Sequence, residues 1–178
     1  MKCIEKREKR KEKREKGLPM EDIVEVNDGA VIADILNRSF ITVAQQFGFT
    51  KENAPTFPAF INSDRIDKFL HNGLTMYGYR KNEIIVACAG YSHYKDTIYF
   101  IERLATLPEY RHLGIGKMLM MFIENKIIEI GGKIAEIHVV DKNMVLREWY
   151  KKLHYLEIRI DEIKTLPFNS CVMNKELR

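Results

Sequence analysis

Residues 104–117 read LATLPEYRHLGIGK, and this stretch decides the fold of the chain. The residues around its start, 97–107, are rich in β-branched, aromatic and aliphatic side chains and form a predicted strand, which Pro108 ends. From Ile115 onward, apolar residues recur at the spacing of a helix. The stretch therefore predicts a strand, a turn that contains two glycines, and the N-terminus of a long helix that is more buried than a surface helix.

A turn of this kind suits an anionic ligand. The first N–H groups of a helix have no partner within the helix, and glycine lets the backbone approach a phosphate closely. The Walker phosphate loop is excluded because Met118, rather than Ser or Thr, follows Gly116-Lys117. The dinucleotide fingerprint G-x-G-x-x-G begins at Gly114 but has Leu119 at its last position. Neither pattern accounts for the turn.

Residues 111–116, RHLGIG, match the R/Q-x-x-G-x-G/A turn of the Gcn5-related N-acetyltransferase (GNAT) superfamily. A second block, residues 143–155, reads NMVLREWYKKLHY and resembles the N-x-x-A-x-x-x-Y-x-x-x-G-F pattern of that superfamily. The resemblance is densest over residues 97–155. The chain departs from the pattern at Leu146, where a small alanine is common, and at His154, where glycine is usual, so the turn at His154 is expected to differ or to be slightly strained.

This resemblance implies an enzyme that transfers acetyl from acetyl-coenzyme A (acetyl-CoA), its co-substrate, to an amine. No metal is expected, because no cluster of His, Cys, Asp or Glu has the spacing of metal ligands. The backbone N–H groups of residues 113–117 would hold the pyrophosphate, and the edge at 104–106 would pair with the pantetheine arm as an added strand would. The backbone N–H near Leu104 would stabilise the developing oxyanion. The implied cofactor-binding residues are Leu104, Ala105, Thr106, Arg111, His112, Leu113, Gly114, Ile115, Gly116, Lys117, Asn143 and Tyr150.

Tyr150 is the candidate general acid that protonates the departing thiolate. Free Tyr and Cys side chains have pKa values of about 10 and 8.5, so a phenol can supply that proton. Its spacing from Asn143 favours this role. In the alternative, Tyr150 only packs in the apolar face of its helix, beside Trp149.

Glu102 is the candidate general base that accepts a proton from the amine. Strand alternation predicts that it shares a face with Phe100, Leu104 and Thr106, one strand step from the thioester. His138, on the following strand, and a chain of waters are the alternatives. If Glu102 is not catalytic, its carboxylate is exposed or pairs with a basic side chain, either Arg80, Lys95 or Arg103.

The rest of the chain completes a mixed α/β fold. Strands are predicted at 23–26, 74–79, 84–91, 97–107, 134–140, 156–163 and 170–174, and helices at 28–47, 64–71, 115–130 and 143–153. Short turns between the middle strands favour antiparallel pairing, and the long crossover after residue 107 favours parallel pairing. The predicted fold is therefore an antiparallel meander followed by a parallel β-α-β crossover, which the GNAT resemblance extends to splayed central strands.

Four phenylalanines lie between the first two predicted helices, where GNAT proteins build their acceptor site: Phe47, Phe49, Phe57 and Phe60. They favour an acceptor with an apolar or aromatic part. The alternative is ordinary core filling beneath a loop.

Charge separates the first residues from the rest of the chain. The 178 residues carry a net charge of +4, but residues 1–16 alone hold nine basic and four acidic side chains. The remainder, with 20 basic and 21 acidic residues, is nearly neutral. We expect 1–17 to be a basic leader, disordered or a frayed helix, before a single domain at 18–178. An alternative function is a ribosome- or nucleic-acid-associated protein that uses this leader, and another is a non-catalytic CoA-binding module.

Composition limits the compartment and the partners. Cys3, Cys88 and Cys171 are odd in number and far apart, so they build neither a disulfide framework nor a zinc site of CxxC type. No apolar run approaches the ~18 residues of a membrane span. We therefore expect a cytoplasmic protein without membrane contact. The GNAT resemblance implies that it acts on a small-molecule amine or a peptide amine. Nucleic acid would contact at most the leader, and a homodimer is a reasonable assembly.

Overall fold

The computed structural model describes residues 19–178, in which strands and helices follow the predicted order. The strands are β1 (Ile23–Glu25), β2 (Thr75–Lys81), β3 (Ile84–Lys95), β4 (Ile98–Thr106), β5 (Ile134–Val140), β6 (Leu156–Asp161) and β7 (Ser170–Glu176). The helices are α1 (Gly29–Phe47), α2 (Ser63–His71), α3 (Ile115–Glu129) and α4 (Met144–Lys151). The predicted leader at 1–17, with Cys3, lies outside the described residues.

The seven strands form one mixed sheet in the order β1-β2-β3-β4-β5-β7-β6. Each pair from β1 to β4 is antiparallel, β4 and β5 are parallel, and β7 pairs antiparallel with both β5 and β6. Helix α3 makes the crossover that a parallel pair requires. The predicted mixed α/β fold, with its meander and parallel crossover, is confirmed.

Helix α1 begins and ends where its sequence provides caps. The Asp28 carboxylate accepts hydrogen bonds from the N–H groups of Ala30 and Val31, at 2.9 and 3.1 Å. Gly48 follows the last turn with a φ of 70°, and its N–H donates to the carbonyl of Ala44. These caps hold the ends of a 19-residue helix that crosses the sheet.

Helix α3 packs deeply against the sheet. Its side chains Ile115, Leu119, Ile123 and Ile127 are almost completely buried, as the broad apolar stripe predicts. Across the sheet, α1 and α2 cover the opposite face. None of the helices in residues 19–178 is long and apolar enough to span a membrane.

A second apolar cluster joins the end of α1 to the loops at 48–60 and 162–169. Phe49 and Phe57 are buried there, with ring centroids 5.0 Å apart, and the Phe168 ring lies 4.7 Å from that of Phe49. Phe47 and Phe60 are half-buried at the edge of the cluster. For Phe49 and Phe57 the alternative of core filling beneath a loop is therefore the better description.

Candidate active site

The central strands β4 and β5 separate after three residue pairs. The paired residues are Ile98 with Ile134, Tyr99 with Ala135, and Phe100 with Glu136. Strand β5 instead stays paired with β7 along its whole length. From residue 101 to 106, no strand of the described chain binds the β5 side of β4. The edge at residues 104–106, which the resemblance assigned to the pantetheine arm, lies along this opening.

The N-terminus of α3 lies at the wide end of that opening and has no side-chain cap. Gly114 is its N-cap residue, with a φ of 88°, and the N–H of Met118 makes the first helical bond, to the Gly114 carbonyl. The N–H groups of residues 115–117 therefore have no partner within the helix. Leu113, Gly114 and Lys117 are all exposed.

Three elements meet at Gly116. A Cβ built on this residue would lie 3.7 Å from Thr106 Oγ1 at the end of β4 and 3.9 Å from the Trp149 ring on α4. The apolar pattern of 143–153 predicted only a packing role for Trp149, and its position beside the α3 N-terminus was not predicted. A signal was present, because Trp149 is the only tryptophan of the chain and directly precedes Tyr150.

Arg111 braces the turn that leads into α3. Its Nε donates to the Thr106 carbonyl at 3.2 Å, and its Nη2 donates to the Ser39 carbonyl at 2.7 Å and to Thr42 Oγ1 at 3.1 Å. The guanidinium is thus bound by protein groups of α1 and β4. His112 follows with a φ of 61°, a left-handed conformation that turns the chain toward Gly114.

Strand β4 contains a bulge at Arg103, whose φ is 57°. On β3, Cys88 pairs with Ala105 and Gly90 pairs with Glu102. Two residue steps on β3 therefore face three steps on β4, which is the pattern of a β-bulge.

The bulge changes which residues share a face with Glu102. Because one extra residue reverses the alternation, Leu104 and Thr106 lie on the α3 side of the sheet, and Glu102 lies on the opposite side with Phe100. The prediction that Glu102 shares a face with Leu104 and Thr106 is wrong for this reason, while its shared face with Phe100 is confirmed.

Glu102 has two polar neighbours. Ser92 Oγ donates to one carboxylate oxygen at 2.6 Å, and the Arg103 guanidinium lies 3.5 Å from the other. Arg103 also lies 4.1 Å above the ring of Phe69 in α2. Burial lowers the pKa of Arg103, and the Glu102 charge opposes that shift. About a third of the Glu102 side chain remains exposed.

Tyr150 lies buried in α4, between two other aromatic rings. Its ring centroid is 4.9 Å from that of Trp149 and 5.7 Å from that of Tyr155. Burial is the one cause that raises the pKa of its phenol, so the hydroxyl is protonated at neutral pH. Tyr150 is therefore a packing residue whose hydroxyl keeps its proton.

The ends of α4 depend on Asn143 and His154. Asn143 is buried, and its side-chain oxygen accepts a hydrogen bond from the N–H of Leu146 at 3.1 Å, which caps the helix. His154 has a φ of 70°, so the strain predicted for a non-glycine residue in that turn is confirmed. Leu146 is half-buried against the main core.

The arrangement is suited to a long anionic ligand with a reactive end. Uncapped amides lie at the wide end of the opening, a free strand edge runs along it, and titratable side chains lie near its narrow end. Among residues 19–178, no group of three or more His, Cys, Asp or Glu side chains is arranged to hold a metal ion.

Several solved structures with the same architecture are named as acetyltransferases. The ribosomal-protein-S18-alanine N-acetyltransferase of Escherichia coli superposes with a TM-score of 0.69 at 14% identity, over 87% of this chain and 92% of that one. The PaiA N-acetyltransferase of Thermoplasma acidophilum, solved with coenzyme A, gives 0.69 at 16%, over 86% and 98%. A GNAT acetyltransferase of Elizabethkingia anophelis with acetyl-CoA bound gives 0.57 at 16%, over 64% and 82%.

These similarities establish the fold, and a sequence comparison establishes the family. No curated protein matches the chain in sequence. The family model for the GNAT acetyltransferase family matches residues 32–155, which include both motif blocks, the opening between β4 and β5, and α3. The chain belongs to the GNAT family of acetyltransferases.

Proposed function

We propose that the protein transfers acetyl from acetyl-CoA to a primary amine by direct attack of the amine on the thioester. The observation that carries this proposal is the convergence, at Gly116, of an uncapped helix N-terminus with the end of a strand edge that no strand covers. The uncapped helix N-terminus suits a diphosphate, and the free strand edge suits the amide groups of a pantetheine arm.

In this proposal, acetyl-CoA lies between β4 and β5. The N–H groups of residues 113–117 bind the pyrophosphate, and the backbone of Leu104, Ala105 and Thr106 pairs with the pantetheine amides. Arg111 and His112 act through the shape of the turn, because the Arg111 guanidinium is bound by α1 and β4. Asn143 acts through its cap on α4, which carries Tyr150.

The bulge at Arg103 supports a transfer between two faces of the sheet. Leu104 and Thr106 face α3 and the proposed cofactor, and Glu102 faces the other side. An amine that approaches from the Glu102 side meets the thioester through the opening. Glu102 accepts a proton from the amine, the N–H of Leu104 stabilises the oxyanion, and Tyr150 protonates the departing thiolate.

The acceptor is a primary amine of a small molecule or of a peptide. The S18-alanine enzyme of E. coli is named for a protein acceptor, and its fold is shared here. The half-buried rings of Phe47 and Phe60, at the edge of the second apolar cluster, are the part of that cluster that an acceptor would contact.

The experiment that tests the proposal is release of CoA thiol from acetyl-CoA over a panel of small amines and peptides. We expect amine-dependent release with stoichiometric N-acetyl product. Binding of CoA without release on any amine would instead indicate a non-catalytic CoA-binding module.

Tyr150→Phe provides a sharper test of the mechanism. Because the change removes only the hydroxyl and keeps the ring contacts, we expect kcat to fall at least about tenfold with little change in affinity for CoA. Steady-state kinetics and calorimetry with CoA measure the two effects. Unchanged turnover would exclude Tyr150 as the acid.

A further inference from the structure

Arg103 is a mostly buried cation that the protein itself binds only weakly. Its side chain is 13% exposed, and its Nε is buried without a hydrogen-bond partner among residues 19–178. Its Nη2 lies 3.5 Å from Oε2 of Glu102, whereas the N–O distance in a charge-assisted hydrogen bond is about 2.7–2.9 Å. A guanidinium carries five N–H donors, so most of its capacity to donate is unused here.

Two other arginines show how this protein binds a guanidinium when it serves only the fold. The Arg147 side chain is also 13% exposed, but its Nε and Nη2 lie 2.8 and 2.7 Å from the Glu157 carboxylate, and its Nη1 donates to the Asp141 carbonyl at 2.7 Å. Arg111 donates three hydrogen bonds, to α1 and β4. Arg103 is as buried as Arg147 and lacks such partners, so it can bind a further acceptor.

The surroundings of Arg103 favour an anion as that acceptor. The Arg103 guanidinium lies 4.1 Å from the ring centroid of Phe69, and the Arg65 guanidinium, on the exposed side of α2, lies 5.6 Å from the same centroid. Helix α2 covers the face of the sheet opposite α3, so both cations lie on the Glu102 side. Two positive charges meet one negative charge there, and one more negative charge would balance them.

The bulge in β4 places this cation beside the proposed reaction centre. Arg103 is the extra residue of the bulge, and a bulge next to a site re-aims a side chain. Its left-handed φ of 57° is strained for a residue other than glycine, and such strain is typical of ligand sites. Its chain neighbours are Glu102, the proposed base, and Leu104, whose N–H is the proposed oxyanion donor. An amine that lies between those two groups has its nearest substituents beside Arg103.

We propose that Arg103 binds a carboxylate of the acceptor, and that the acceptor is a free α-amino acid. The inference rests on the proposed function and narrows its acceptor. One carbon atom separates the amine of an α-amino acid from its carboxylate, which matches the adjacent positions of Glu102 and Arg103. The guanidinium fork is suited to a carboxylate, which it binds with two parallel hydrogen bonds.

Glu102 can still bind the ammonium group of such an acceptor. Each carboxylate oxygen has two lone pairs, and the contacts with Ser92 and Arg103 use one oxygen each. The zwitterion is thus matched at both ends, by Glu102 and by Arg103. An alkylamine or the N-terminus of a peptide has no anionic group at this position and would leave the Arg103 charge unbalanced.

The first test uses the full, unmodified chain with acetyl-CoA and a panel of L-amino acids, each beside its own amide. The amide keeps the amine and the side chain but replaces the carboxylate by a neutral group of similar shape. We expect kcat/KM for the preferred amino acid, from release of CoA thiol, to exceed that of its amide at least about tenfold. Amides accepted as well as the free acids, or better, would overturn this inference and leave the proposed function intact.

The second test changes Arg103. Arg103→Gln should lower kcat/KM for the amino acid at least about tenfold, mainly through KM, with little change for the amide. Arg103→Lys keeps the charge without the fork and should lose less. A variant that merely folds less well lowers both rates alike, so equal losses for acid and amide would overturn the inference.

Arg80→Gln is the matched control, because Arg80 is exposed on β2, which β3 separates from β4. We expect it to keep the preference for the amino acid over the amide. Thiol release with neither amino acids, amides, simple amines nor peptides would overturn the inference and the proposed function together.

Discussion

At the scale of a single residue, Gly116 is informative because the protein itself does not require glycine there. An added Cβ would meet its nearest neighbours at 3.7 to 3.9 Å, which is ordinary contact. We therefore expect Gly116→Ala to raise the free energy of unfolding by about 0.5 kcal/mol, through helix propensity. The same methyl group would obstruct the approach of a diphosphate to the amides, and CoA affinity should fall at least about tenfold.

Thermal unfolding and calorimetry with CoA measure the two effects of Gly116→Ala separately. Asn125→Ala is the matched control, because Asn125 is exposed on the same helix, away from its N-terminus. It should gain similar stability without a loss of CoA affinity. If Gly116→Ala binds CoA as tightly as the unmodified protein, the α3 N-terminus does not hold the pyrophosphate.

His154 is a residue at which this chain carries strain. It is exposed and has a φ of 70°, a conformation that costs a non-glycine residue about 1–2 kcal/mol. Glycine would remove that cost but would lose more entropy on folding, by roughly 0.5–1 kcal/mol. We expect His154→Gly to raise the free energy of unfolding by about 0.5–1 kcal/mol, measured by urea unfolding. Equal or lower stability would show that the side chain compensates for the strain.

At the scale of the elements, periodicity predicted most of the architecture. Alternating strands and a broad apolar stripe in α3 are repeated signals over many residues, so their elements and pairing directions could be predicted. The bulge at Arg103 could not be predicted. It depends on one residue with a left-handed backbone, and that residue is not a glycine, which would have indicated such a conformation. For the same reason the face of Glu102 was only partly predicted. The contacts of His138 with Glu136 and Ser170, which engage both ring nitrogens, required the register of three strands.

Arg111 connects the elements that form the cofactor side of the site. Three hydrogen bonds from its guanidinium reach α1 and the end of β4. Hydrogen bonds to charged groups contribute about 1.5–3 kcal/mol, and two partly buried carbonyls, of Ser39 and Thr106, would lose a partner. We expect Arg111→Gln to lower the free energy of unfolding by about 2–3 kcal/mol in urea titrations.

Thr42→Val is the control for that measurement, because it keeps the two carbonyl acceptors of the Arg111 guanidinium. It removes the Thr42 hydroxyl, which accepts from Arg111 and donates to the Ser39 carbonyl, and should cost about 1 kcal/mol. CoA affinity should fall in Arg111→Gln as well, since the turn before α3 loses its anchor. A stability equal to that of the unmodified protein would contradict the role of Arg111 as a brace.

At the scale of the whole molecule, the sheet separates two kinds of chemistry. The α3 face carries the uncapped amides and Thr106, which suit an anionic ligand. The opposite face carries Glu102, which suits a proton-donating amine. The bulge in β4 places Glu102 and Thr106 on opposite faces of the sheet. Without the extra residue, Glu102 would lie on the α3 face together with Thr106. The opening between β4 and β5 connects the two faces of the sheet.

The whole-molecule charge distribution leads to the last prediction. Residues 1–16 carry a net charge of +5, whereas the rest of the chain carries −1. The single sheet and the proposed site lie within residues 19–178. A chain that begins at residue 18 should therefore keep the amine-dependent thiol release and the unfolding temperature of the full chain. Any binding of nucleic acid by the full chain should weaken steeply with salt and should be lost with the leader. Loss of acetyl transfer on truncation would instead place residues 1–17 within the catalytic unit.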